Sequence, residues 1–207
     1  MENLAGNPTF PLVEEIGYDE SLPAADRLGI TRQSRRVYHV SVIGRSAGRR
    51  VVALVRRVLV AGMGNLLRAD DGFGIRVIQE LAKKRLPPSV DLYEAGGAGI
   101  ALAQKLADGY EVLIIVDAAL RGGIPGTLYR IIPPEGPPPG DIGMHDLDPT
   151  RVLALAKVLG ASPGETIVIG CEPRETGELS QELSPEVSAA VEGAVAMVLK
   201  ELKRVMS

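Results

Sequence analysis

The 207-residue chain has one cysteine, no tryptophan, two histidines and only 3% aromatic residues. A single cysteine excludes an intrachain disulfide framework, which makes a reducing cytoplasm the expected location. No apolar run reaches the ~20 residues that span a bilayer. The first residues also lack the basic-then-apolar order of a secretory signal, so no membrane partner is expected. With so few aromatics, the core must be built from Val, Leu, Ile and Ala, which suits a mostly parallel sheet covered by helices.

Charge of one sign is missing from two stretches. Residues 1–26 hold six acids and no Lys or Arg, and residues 27–57 hold nine arginines and no acid. This division marks 1–57 as an N-terminal extension, expected to be poorly packed or disordered, and 58–207 as the folded domain. The arginine-rich stretch offers only Tyr38 for stacking on bases, so no nucleic-acid partner is expected. "VYHVSVIG" permits an extra strand. The preferred reading is a natural start near Val55, because "VRRVLVAGMGN" leads directly from basic residues into a strand.

From Val58 the pattern alternates between strand and helix. Strands are expected at Val58–Ala61, Val90–Glu94, Val112–Asp117, Thr127–Ile132 and Thr166–Gly170. Helices are expected from Asp71 to about Arg85 (Ile75, Ile78, Leu81 and Ala82 inward), over 97–108 (Ile100, Leu102, Ala103 and Leu106 inward), from Pro149 to Leu159, and from Pro185 onward. Only Ala118–Gly126 joins the third and fourth strands, too little for a parallel crossover. The fourth strand is therefore expected antiparallel. The fold class is a three-layer α/β domain with a five-stranded, mostly parallel mixed sheet between helices, of the phosphorylase/hydrolase-like kind.

In an open α/β sheet, ligands bind beyond the carboxyl ends of the strands. Three polar residues are predicted at that edge. Asp71 follows the first strand in "GMGNLLRADDGFG", Asp117 ends the third in "VLIIVD", and His145 lies in the Pro/Gly-rich loop before Pro149. A nucleotide reading of Gly62 and Gly64, with Glu94 as a ribose-binding acid, fails on charge: Asp70 and Asp71 would repel a pyrophosphate at the helix start. Asp70 is expected to cap the helix, which leaves Asp71 unexplained. Two carboxylates and an imidazole suit a divalent cation such as Zn, Ni, Fe or Mn, and the acids could also deprotonate a water. A nucleophilic Cys171 served by His145 and Asp117 is the lesser alternative, because a lone strand-end cysteine is usually packing.

These motifs resemble the hydrogenase maturation endopeptidases. The similarity runs in order through "GMGNLLRADDGFG", the turn Gly96–Gly97–Ala98–Gly99, Asp117 in "VDA", His145, Gly170–Cys171–Glu172–Pro173 and "LSPEV". It implies an aspartic/metal-dependent peptidase that removes the C-terminal extension of a nickel–iron hydrogenase large-subunit precursor. It also implies that Asp71, Asp117 and His145 contact nickel, an ion supplied by the precursor rather than held permanently. The rival reading is a non-catalytic, metal-sensing or chaperone-like module using the same cleft.

Overall fold

The structure, a computed structural model, describes residues 16–17, 38–46, 49–97, 99–134 and 149–207, with side chains from residue 56 onward. In chain order these form β1 (Ile16–Gly17), β2 (Tyr38–Ser46), β3 (Arg49–Arg56), β4 (Val58–Met63), a 3-10 turn (Ala69–Gly72), α1 (Phe73–Ala82), β5 (Val90–Gly96), α2 (Gly99–Leu106), β6 (Val112–Ala118), β7 (Leu128–Ile131), α3 (Pro149–Val158), β8 (Glu165–Cys171) and α4 (Pro185–Val205).

The first three strands make an antiparallel sheet in the order β1-β3-β2. The other five form a sheet in the order β5-β4-β6-β8-β7. Four of its strands are parallel, and β7 runs antiparallel to β8, as the short connection after β6 requires. One face carries Val58, Val60, Ile114, Val116, Ile167 and Ile169 against Phe73, Val77 and Leu81 of α1 and the Val187–Val205 stripe of α4. The other carries Leu59, Ala61, Leu113 and Ile115 against Leu102 and Leu106 of α2 and Val152 and Ala156 of α3. Burial on both faces explains why "VLIIV" shows no polar alternation.

Two residues expected inward face out: Ile100 is 42% exposed, and Ala82 is also exposed. Ile100 is the second residue of α2, before its first full turn. Ala82 closes α1 one step past the Phe73–Val77–Leu81 stripe, which the sequence reading misses because the helix starts only at Phe73, after the 3-10 turn.

Arg56 and Arg57 join the domain through their side chains. Arg57 donates to the carbonyl oxygens of Asp108 and Gly109, pairs with Asp91 and stacks over the Tyr110 ring. Arg56 pairs with Glu111 at 2.8 Å. At the far edge, buried Glu201 of α4 accepts from Arg130 of β7 and from Arg204, each at 2.7 Å. The Arg130 contact, helped by Arg204 and opposed by burial, lowers the Glu201 carboxyl to about 2 from an ordinary 4.5. A depressed carboxylate stabilises the fold above its unfolded value and loses that contribution as the pH falls toward 2. Glu201→Gln should cost about 1–2 kcal/mol at pH 7, less than the full linkage because both arginines are partly exposed. Urea melts at pH 7 and pH 3 should show that cost shrinking on acidification.

Candidate active site

The chain leaves β4 through α1 to reach β5 on one side of β4, then crosses through α2 to β6 on the other side. The reversal places the topological switch point between β4 and β6, where open α/β sheets form a crevice beyond their carboxyl ends. Asp71 stands in the 3-10 turn that follows β4, and Asp117 is the penultimate residue of β6. Gly74 lets α1 close onto these strand ends: a Cβ there would lie 2.2 Å from the Val116 carbonyl oxygen and 2.4 Å from that of Met63.

The two acids are electrostatically joined. Burial, then the charge of Asp71, pushes the Asp117 carboxyl up from 3.8 to about 7, against a backbone hydrogen bond from Ala118. Burial also raises Asp71, offset by the Asn65 N–H and by the charge of Arg68. That N–H donates to Asp71 Oδ2 at 2.9 Å. Two half-buried carboxylates that each hold a proton more tightly than usual make a site suited to a cation or to proton transfer near neutral pH. His145 lies outside the described residues. Among the described residues, no three metal-ligating side chains cluster.

The sequence model of the hydrogenase maturation proteases matches residues 75–201. The hydrogenase expression/formation protein HupD of Rhodobacter capsulatus is 34% identical over 151 residues, covering 71% of this chain and 71% of the relative. HoxM of Azotobacter vinelandii is 36% identical over 149 residues, covering 70% and 72%. The chain belongs to the hydrogenase maturation protease family. Its fold is similar to that of the hydrogenase maturating endopeptidase HybD from Escherichia coli, with a TM-score of 0.63 and 31% identity over 72% of this chain and 93% of that one. The hydrogenase 2 maturation peptidase from a Thaumarchaeota archaeon is 39% identical with a TM-score of 0.55, covering 71% and 98%.

In this maturation protease, Asp70 does not cap a helix as the sequence suggests. No side chain caps the 3-10 turn or α1. Asp70 is fully buried. Its carboxylate accepts the N–H groups of Arg174, Glu175 and Ser184 and the Ser184 hydroxyl, at 2.6–3.0 Å. The acid pair thus divides into an inward and a crevice member. Sequence reasoning also passed over Glu172, 2% exposed. It accepts from the N–H groups of Arg121 and Gly122 and from the Tyr129 hydroxyl. The available signal was an acid directly after the apolar strand "IVIGC". Glu94, the nucleotide-reading acid, is exposed.

Cys171 is a core residue. It pairs with Ala118 across the β6–β8 ladder while Asp117 pairs with Gly170, so Cys171 and Asp117 point to opposite faces of the sheet. Burial, with the charges of Asp70 and Glu172, pushes its thiol to about 12, which leaves no thiolate near pH 7. Cys171→Ser should lose about 1–2 kcal/mol of stability for burying a hydroxyl yet keep its cleavage rate per folded molecule. A complete loss without unfolding would return the cysteine to the chemistry. Two surface hollows, of about 640 Å³ between α1 and α4 and about 530 Å³ beside Arg174–Ser184, are lined by neither Asp71 nor Asp117.

Proposed function

We propose that this protease removes the C-terminal extension of a nickel-loaded nickel–iron hydrogenase large-subunit precursor in the cytoplasm, with Asp71, Asp117 and His145 as the residues that meet the nickel. The observation that carries the reading is the meeting of Asp71 and Asp117 at the β4/β6 switch point, where burial raises both carboxyls and the charge of Asp71 raises Asp117 further. A cation relieves that repulsion. Oxygen and nitrogen donors are weak competitors for an ion already held by softer ligands in the precursor, so the protease can read the metal without stripping it. Asp117, with a proton affinity near neutrality, suits the acid–base work of hydrolysis. Water oxygen adds to the scissile carbonyl carbon as one of its protons passes to a carboxylate. The carbon–nitrogen bond then breaks, with that proton delivered to the departing amine.

Incubation with nickel-loaded and nickel-free precursor tests this directly. Mass spectrometry should show loss of a short C-terminal peptide from the loaded form only. Stable complex formation with no mass change would favour the non-catalytic, metal-sensing module instead. We also read residues 1 to about 50 as dispensable for processing. A chain starting at Val55, with Met in its place, keeps Arg56 and Arg57 and should cleave at the full-length rate. Insolubility or a melting temperature several degrees lower would place the extension within the fold.

A further inference from the structure

The segment Glu172–Glu175 is tied to the stretches of chain that follow Asp117 and precede Asp71, through two buried carboxylates, Glu172 and Asp70, that the hydrolysis does not use. At one end, the Glu172 side chain holds the backbone of Arg121 and Gly122, four and five residues beyond Asp117, with Tyr129 Oη donating to it at 2.7 Å. The strand continues the tie: Ala119 N–H donates to the Cys171 carbonyl, and Glu172 N–H to that of Thr127. At the other end, the N–H groups of Arg174 and Glu175 donate to Asp70 Oδ2 at 2.9 and 3.0 Å. Asp70 N–H in turn donates to the Glu175 carbonyl, and Asp71 is the next residue.

The 3-10 turn gains a second set of ties further along the same connection. Ser184 donates to Asp70 through both its N–H and its hydroxyl, and Ala69 N–H donates to the Ser180 carbonyl. Ala69 has a φ of +46°, the one positive value among the described non-glycine residues. Such a conformation persists only where its surroundings over-determine it. Here, hydrogen bonds on Ala69 and Asp70 supply that constraint. They set the direction in which the chain enters Asp71.

We propose that Glu172–Glu175 is a crossbar that fixes the separation of the Asp71 and Asp117 carboxyls, with Asp70 and Glu172 as positioning residues. This gives the Gly170–Pro173 motif a role in the reaction that none of its side chains performs by contact with substrate. The partners fit the purpose. Backbone N–H groups pin a chain more rigidly than flexible side chains, and their bonds to an ionised acceptor are among the stronger kinds. Misplacement by about 1 Å costs on the order of 100-fold in rate.

The proposal rests on the processing reading for its kinetic arm and stands apart from it in its geometric arm. Asp70→Asn and Glu172→Gln replace acceptor oxygens by donors aimed at donors. Each should lower kcat for loaded precursor by about 10- to 100-fold with KM within about 2-fold, measured on the folded fraction well below the melting temperature. Crystal structures of the variants should show the Asp71–Asp117 separation changed from the wild type. Should either variant fail to fold, Ser184→Ala and Tyr129→Phe remove one donor each and should give smaller kcat losses of the same kind. Rates that fall only with the unfolded fraction, together with an unmoved acid pair, would overturn the crossbar. If the wild type fails to cleave loaded precursor, the function reading falls and the separations alone decide the positioning claim.

Discussion

Asp117→Asn should yield a folded protein that no longer processes precursor and melts higher than the wild type at pH 8. Both effects have one origin. The Asp117 carboxyl is raised to about 7 by burial and by the charge of Asp71. A carboxyl whose folded value lies above its unfolded value contributes full stability below about 3.8. That contribution is lost as the pH climbs through 7. At pH 8 the wild type carries the cost of a charge that the fold resists, and Asn removes it. The shift corresponds to roughly 4 kcal/mol at most. A half-buried carboxylate recovers part of that from solvent, so a gain of about 2 kcal/mol is expected. For a domain of this size that is ~4–8 °C. At pH 4 the two proteins should melt together. Calorimetry at the two pH values, beside a cleavage assay expected to fall at least ~100-fold, checks both halves. A variant less stable than the wild type at pH 8 would contradict the electrostatic account, and undiminished cleavage would remove Asp117 from the site.

Gly64→Ala should produce little or no soluble protein. Gly64 has φ of +109°, where a side chain is strained in any surroundings, and a Cβ would lie 1.7 Å from the Asp71 carbonyl oxygen. The clash is with backbone, and that backbone cannot retreat. The 3-10 turn is bound to Ser180 and Glu175 through Ala69 and Asp70, and Gly64 N–H itself donates to the Gly96 carbonyl at 3.1 Å. We expect a cost above ~4 kcal/mol, in the range reserved for severe steric and backbone lesions. Gly97→Ala is the control. A Cβ there meets nothing within 4 Å, so it should stay within about 0.5 kcal/mol of the wild type. Expression yield and chemical denaturation of the two variants separate them. A well-folded Gly64→Ala protein would show that the turn after β4 has another conformation available.

The amino-acid sequence was sufficient for the strands and helices from Val58 onward, for the mixed five-stranded sheet and for placing Asp71 after β4 and Asp117 at the end of β6. These depend on short-range patterning: apolar runs with turn residues at their ends, a Pro at the first position of α3 and α4, and a β6–β7 connection too short to cross the sheet. The roles of the acids were not legible in the same way. Asp70 and Asp71 are neighbours in an acidic pair, and local rules assign the first to a helix cap. Its actual partners lie 104 to 114 residues away in the chain, and no local rule reaches them. Glu172 likewise satisfies groups 50 and 51 residues earlier. Cys171 could be read as a nucleophile until the β6–β8 register set it on the face opposite Asp117. Periodicity says which side chains are buried together, because burial repeats along one element. Which buried carboxylate meets which N–H depends on how distant elements dock, and only the tertiary structure decides that.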